Sequence, residues 1–331
     1  MSLLVGLPGL LAERGVPLTR ALEGLPLTPD EFTDPERIIP YSLACRLLER
    51  AATLAQCPHL GLLLGARHDH RVLGLPGELL ANAPDLGAAL SSFIQLQPGA
   101  SRAATIYLQR QDGHVVVGYG LYAGASMATE QVSCAAIALA ASTLRLLTGG
   151  QAAPSEVLFA FRRPADPSPH HAFFGVPVRF DQPQSGLVLP RAVLALPIVG
   201  ARPAEFERLQ RLAAARMPAW KSLWADRVKR TLRPMLLRGE PTAPATAAEL
   251  GVSVRTLSRR LAAEGSTFQG LLDEVRYATA RELLAVTDLP VGEVALALSY
   301  ATHGAFVDAF RRWSGMAPSH WRRARTTPAP T

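Results

Sequence analysis

Apolar residues recur three and four apart along much of this chain, and the clearest runs lie in its last third. Between Ala248 and Gly265, Leu257 and Leu261 share one helical face while Arg255, Ser258 and Arg259 fall elsewhere. Gly251-Val252-Ser253 breaks the preceding helix, and the Ser253 hydroxyl is placed to accept from an otherwise unpaired amide of the next. The run from Val291 to Gly315 repeats this plan. Val294, Ala295 and Leu298 form an apolar face, Ser299-Tyr300-Ala301 a turn, and Thr302 a cap for a helix carrying Phe306 and Phe310. Between the two, Leu271, Leu272, Val275, Leu283 and Leu284 predict one long helix. The second helices of the two units begin at residues 254 and 302, 48 residues apart. A connecting helix of about 20 residues is roughly 30 Å long, and a duplex presents its major groove again after about 34 Å. The pattern therefore predicts two helix-turn-helix units held for successive grooves of DNA.

The preceding two-thirds mixes two periods. Residues 1–30 predict one short helix; Tyr41, Leu43, Ala44, Leu47, Leu48, Ala51 and Leu54 predict a firm one that ends near Cys57-Pro58. The stretch from His59 to Leu96 reads as glycine-marked turns with a short helix after Asn82-Ala83-Pro84-Asp85. Ala103–Leu108 and Val115–Tyr122 alternate like antiparallel strands joined by a Gln111-Asp112-Gly113 turn. Thr129–Leu147 reads as a buried helix stopped by Gly149-Gly150. Val157–Phe161, Arg179–Phe180 (led into by Phe173–Val178) and Gly186–Leu189 are short strand candidates, and Ala204 to Met217 is a helix. The expected organisation is an α/β N-terminal domain of mixed helices and antiparallel strands over 1–215 and a linker over 216–222. An all-α domain over 223–325 follows, starting with a helix at Trp224–Leu237.

A length of 331 residues suits two domains, and 48% hydrophobic with 18% charged residues suits a globular chain. The net charge of +7 is unevenly spread: from Lys221 onward there are 16 Lys and Arg against 10 Asp and Glu. That segment therefore carries +6, nearly all of it Arg, which grips guanine edges and phosphates through a planar fork. Cys45, Cys57 and Cys134 are odd in number and lack ligand or redox spacing, so a reduced, cytoplasmic protein is expected. The first residues have no basic stretch ahead of the apolar ones and are not read as a signal peptide. Val132–Leu147 is broken by Ser133, Ser142, Thr143 and Arg145 and is shorter than the about 20 residues of a membrane span, so no membrane partner is expected.

The segments LGVSVRTLSRRL, FQGLLDEVRYATARELL and LPVGEVALALSYATHGAFVDAFRRWSGMAP resemble, in order and spacing, the C-terminal domain of the AraC/XylS family of transcription regulators. The segments DPERIIPYSLACRLLERAA, HLGLLLGARHDHRVLGLPGELLANAPDLGAALSSF, RLLTGG with APSEVLFAF, and HHAFFGVPVRFDQPQSGLVLP with ALPI resemble the arabinose-binding-like sensor domain of one branch of that family. The resemblance implies a regulator that binds double-stranded operator DNA, dimerises, and responds to a small organic effector; RNA polymerase is a further candidate partner. Carried over residue by residue, it places DNA contacts at Arg255, Ser258 and Arg259, with Ser253 and Thr256 beside them, and at Thr302, His303, Gly304 and Arg311. Two departures stand out. Ser299-Tyr300 replaces the Gly-Phe of many relatives, and Val307-Asp308 replaces a Ser-Arg pair. A carboxylate at 308 places negative charge toward a duplex, though it could accept from a cytosine amino group; the departures together favour positioning over base reading by the second unit.

Other chemistry is thinly represented. His68-Asp69-His70 and His170-His171 offer metal-ligand types, but without a completing Cys or His they read as turns with surface histidines, and no metal or other cofactor is expected. No glycine-rich phosphate loop or catalytic set is present, so an enzyme with an accessory basic domain ranks below a DNA-binding regulator. An interaction module with degraded base reading, as Asp308 permits, is the other alternative. No ligand-binding residue is assigned; Phe159, Phe161, Phe173, Phe174 and Phe180 either fill a core or enclose an apolar effector.

Overall fold

The hairpin predicted around residue 112 is the centre of the N-terminal domain. In the computed structural model, which describes residues 2–33, 39–100, 104–111, 113–121, 129–216, 223–239 and 241–326, six α-helices precede it among those residues. They are α1 (Leu7–Ala12), α2 (Leu18–Leu22), α3 (Tyr41–Leu54), α4 (Leu60–Ala66), α5 (Leu75–Asn82) and α6 (Leu86–Ala100). The strands β1 (Ala104–Gln111) and β2 (His114–Leu121) pair antiparallel with Gln111 opposite His114. Then come α7 (Glu130–Leu147), β3 (Glu156–Leu158), α8 (Ser168–Phe174), β4 (Val178–Arg179), β5 (Ser185–Pro190) and α9 (Pro203–Arg216). The five strands lie in the order β1-β2-β5-β3-β4, antiparallel except for the β3–β4 pair. Ala103, Asp112 and Tyr122, at the predicted strand ends and turn, lie outside the described residues.

Alternation gives the sheet two different faces. Ile106, Leu108, Val115, Val117, Leu187 and Leu189 join the main N-terminal core with α5, α6, α7 and α9. The other face carries Tyr107 and Gln109, and there Tyr107 donates through its hydroxyl to Gln184 Oε1 at 2.9 Å. A second N-terminal core gathers α1 to α4 around Leu10, Leu47, Leu48 and Leu60.

Three expectations are corrected in this domain. The first 30 residues hold two short α-helices, α1 and α2, and a 3-10 turn at Ser2–Leu4, in place of one helix. Residues 59–96 hold three helices, because glycines that look like turn residues serve close packing. A Cβ at Gly61 would lie 2.1 Å from the Gln131 carbonyl oxygen, and one at Gly65 2.2 Å from that of Ala135, so only glycine lets α4 lie against the α7 backbone. The Gln131 side chain completes that contact, accepting from the Gly61 N–H and donating to the Pro58 carbonyl, both at 2.7 Å. Thirdly, residues 168–174 form α8, where a turn with surface histidines followed by the lead into a strand was expected, so His170 is buried in a helix and, of the pair, only His171 is exposed. The helix α7 is 18 residues long and apolar enough to span a bilayer, but 67% of it is buried within the protein.

The C-terminal domain is all helical: α10 (Trp224–Arg238), α11 (Ala243–Glu249), α12 (Val254–Ala263), α13 (Phe268–Val286), α14 (Val291–Ala297), α15 (His303–Ser314) and α16 (Pro318–Thr326). The predicted linker over 216–222 lies, beyond Arg216, outside the described residues. Val228, Leu257, Leu261, Val275, Leu283, Leu298, Phe306 and Phe310 belong to one core, to which the N-terminal domain contributes Ala160. Trp313 packs partly buried against that core. The two domains meet where α10 packs on β1 and β2.

Candidate nucleic-acid interface

The first unit forms as its pattern demands. The Ser253 hydroxyl accepts from the Thr256 N–H at 3.1 Å and donates to the Thr256 hydroxyl at 2.9 Å, which starts α12 without an orphan amide there. Leu257 and Leu261 turn into the core; Arg255, Ser258 and Arg259 are exposed. Arg260 is not available in the same way. Its guanidinium lies 4.1 Å above the Trp224 ring, whose other cationic neighbour, Arg227, lies at 4.0 Å. Glu264, just past α12, accepts from the Trp224 and Ala225 N–H groups at 2.7 and 2.9 Å and so caps α10. Arg260 therefore anchors α12 to α10. The 36 residues separating it from Trp224 left no local signal of this role.

Sorting the lysines and arginines of this domain by partner isolates three among the described residues. Lys229, Arg233, Arg238 and Arg312 are in ion pairs, Arg322 donates to the Leu289 carbonyl, and Arg281 lies over the Tyr277 ring. Arg276 donates to the carbonyls of Leu298 and Ser299 at 3.0 and 3.1 Å and lies over Tyr300, which ties the turn of the second unit to α13. Arg255, Arg259 and Arg311 are exposed and have no hydrogen bond, ion pair or ring contact among the described residues. All three lie on α12 and α15, the second helices of the two units.

The second unit also follows its pattern, with the Thr302 hydroxyl accepting from the Ala305 N–H at 3.2 Å and Phe306 and Phe310 fully buried. Thr302, His303, Gly304, Asp308 and Arg311 are exposed. Ser299 has φ +57°, a left-handed conformation that costs a side chain strain, which is the physical reason a glycine suits this turn. Its hydroxyl donates to the Leu236 carbonyl and so ties the turn to α10 as well.

This arrangement has relatives among known proteins. Residues 15–198 match the N-terminal arabinose-binding domain of AraC transcription regulators, and residues 246–324 match a helix-turn-helix domain. The chain belongs to the AraC family of transcription regulators. The ornithine utilization regulator of Pseudomonas aeruginosa is 29% identical over 95% of this chain and 93% of its own length. The HTH-type transcriptional regulator VirS of Mycobacterium tuberculosis is 30% identical over 84% of this chain and 82% of its own. Among solved structures, the transcriptional regulator CdpR from Pseudomonas aeruginosa is 26% identical, with a TM-score of 0.44, over 95% of this chain and 98% of that one.

In this AraC-family protein the phenylalanines of the N-terminal domain pack on one another. Phe159 lies 4.8 Å from Phe161, 5.9 Å from Phe174 and 5.8 Å from Phe180, centroid to centroid, and all four are buried. His170 is enclosed among them with its Nε2 3.4 Å from Cys134 Sγ. Burial, then the charges of His59 and His171, hold His170 down at about 4, and burial holds the Cys134 thiol well above its ordinary range, so the pair is neutral. Asp69 of the other histidine motif is engaged by Arg71. Two open clefts lie elsewhere. One of ≈ 430 Å³ is bounded by Arg71, Asn82, Leu146, Val199 and Arg202; one of ≈ 350 Å³ lies between the domains, with Gln109 and Gln184 opposite Glu293 and Leu296. Neither is lined by the phenylalanines.

Proposed function

We propose that this DNA-binding regulator reads its operator with Arg255, Ser258 and Arg259 of α12, supported by Ser253 and Thr256. The second unit follows the next groove with Thr302, His303, Gly304 and Arg311. The observation that supports the reading is the distribution of arginines within the C-terminal domain: among its described residues, those without a protein partner lie on the two helices that the family uses against DNA. Arg forks match guanine edges, and such a pair discriminates by about 1–3 kcal/mol.

In this reading residues 1–215 form the effector-binding and dimerising domain, 216–222 the linker and 223–325 the DNA-binding domain. The regulator acts in the cytoplasm as a homodimer, has RNA polymerase as a further partner, and performs no catalysis. A small organic effector shifts operator affinity by its difference in affinity for two arrangements of the chain. Sequencing the DNA fragments retained by the purified full chain, alone and with small organic compounds, tests both halves. Ornithine belongs among those compounds because one relative is named for its utilization. A shared motif is expected among the fragments, retained more or less strongly when the right compound is present. Fragments without a shared motif, held with steep salt dependence alone, would reduce the protein to a phosphate binder.

A further inference from the structure

The last turn of α13 ends in carbonyls that no following turn can satisfy. Thr287 covers one of these positions itself, its N–H and hydroxyl both donating to the Leu283 carbonyl. The next carbonyls are met from the other domain, by one residue. Arg162, just past β3 in the N-terminal domain, donates through its backbone N–H to the Val286 carbonyl at 2.7 Å. Its side chain donates to the carbonyls of Ala285 at 2.8 Å and Thr287 at 3.3 Å, and pairs with Asp288 at 2.7 Å. Asp181, beyond β4, accepts from the Asp288 N–H at 2.7 Å. Asp181 does this at φ +55°, a strained conformation for a residue with a side chain.

The position of this cap matters more than its energy. The Arg162–Asp288 pair is exposed at its acidic end and by itself stabilises little. The carbonyls it joins, however, close the helix that separates the two helix-turn-helix units, and α14 begins at Val291, three residues past Asp288. Whatever holds Ala285–Asp288 therefore acts on the origin of the second unit, whose turn is also tied to α13 by Arg276 and to α10 by Ser299. A planar guanidinium suits the task, because it fits several carbonyls at once and its charge complements a helix C-terminus.

We propose that Arg162 is a positioning residue for DNA reading, through which the N-terminal domain sets where the second helix-turn-helix unit begins. This rests on the chain binding DNA through both units. The exposed carboxylate of Asp308 on α15 offers no attraction to phosphate, and on this proposal the contribution of the second unit depends on its being held in place before DNA arrives.

The test compares the full wild-type chain with Arg162→Ala and Arg162→Lys, the latter keeping the charge and stem that folding needs. Amide hydrogen exchange is read first, without DNA. Both variants are expected to exchange faster over Asp288–Ala297 and unchanged over α11 and α12. Unchanged exchange across α14 overturns the proposal independently of any DNA result. The second reading is a hydroxyl-radical footprint and salt series on a duplex selected by the wild-type chain. Both variants are expected to bind about tenfold more weakly, to lose protection only in the groove met by α15, and to show a salt slope lower by about one. A lowered melting temperature with a full-width footprint is what a purely structural cap produces, and it overturns the proposal. So does equal loss in both grooves, or full rescue by lysine, which would reduce Arg162 to a point charge.

Discussion

Arg255 and Arg259 differ from Arg260 by what surrounds them, since all three are arginines on the same ten-residue helix. The first two project from α12 without a partner among the described residues, whereas Arg260 is stacked on Trp224. Alanine at 255 or 259 is expected to weaken specific binding by about 1–3 kcal/mol and to relax preference at one or two base pairs. Competition titrations with operator variants check this, and an equal loss on unrelated sequences would confine both residues to phosphate. A second residue-scale expectation concerns pH. Burial, then the charge of Glu49, pushes the Glu130 carboxyl up to about 7, with Arg162 acting the other way. The folded chain thus holds this proton more tightly than the unfolded one. That stability is fully present below the ordinary carboxylate value and is lost as pH rises through about 7. Glu130→Gln should therefore raise stability above neutrality, by up to about 3 kcal/mol, and flatten the decline between about pH 5 and 7. Urea unfolding across that range measures it, and an unaltered profile would remove Glu130 as the cause.

Among the elements, α4 and α7 depend on glycine contact, and α15 carries an exposed carboxylate, Asp308, on the unit proposed to follow the second groove. In Gly61→Ala the added methyl meets the Gln131 carbonyl, so the two helices must separate; a loss of about 1–3 kcal/mol is expected. In Gly292→Ala, on α14, nothing lies within 4 Å of the new atom, and a gain of about 0.5–1 kcal/mol is expected from helix propensity. Thermal unfolding of the two variants should show opposite signs, and equal destabilisation would mean the α4–α7 contact is not the constraint. Asp308→Arg should tighten DNA binding and steepen the salt slope by about one phosphate. No change in either quantity would place α15 away from the duplex.

At the scale of the molecule the two domains share buried surface. Ala160 enters the C-terminal core, and Arg233 on α10 is 1% exposed in its pair with Glu282 on α13. A Cβ at Gly120 of β2 would lie 3.0 Å from Arg233 Nε, so the bare strand is what lets α10 lie against it. Burial raises the Glu282 carboxyl against the pull of Arg233, and removing one partner of such a pair typically costs about 3–5 kcal/mol. A fragment of residues 219–331 gives up this contact with the sheet and the cap from Arg162. It is expected to be monomeric and to bind operator more weakly than the full chain, while residues 1–218 are expected to dimerise, since linking two reading modules raises their effective concentration. Analytical ultracentrifugation and operator titration test this; a monomeric N-terminal fragment, or a C-terminal fragment matching the full chain in affinity, would refute dimer-assisted binding.

What the sequence determined by itself is local. The two helix-turn-helix units, their serine and threonine caps, the helix between them and the central hairpin follow from periods of 3.6 and 2 and from capping chemistry. All of these act within a few residues. The exposed arginines of α12 were legible for the same reason. Tertiary structure decided everything that depends on neighbours distant along the chain. Gly61 and Gly65 lie inside a helix because the α7 backbone is 70 residues away in sequence and in contact in space. His170 is buried because α8 closes over the phenylalanines. Arg162 meets Asp288 across 126 residues. A glycine, a histidine or an arginine carries no mark of such a partner, because the interaction that fixes its role exists only once the two segments have packed.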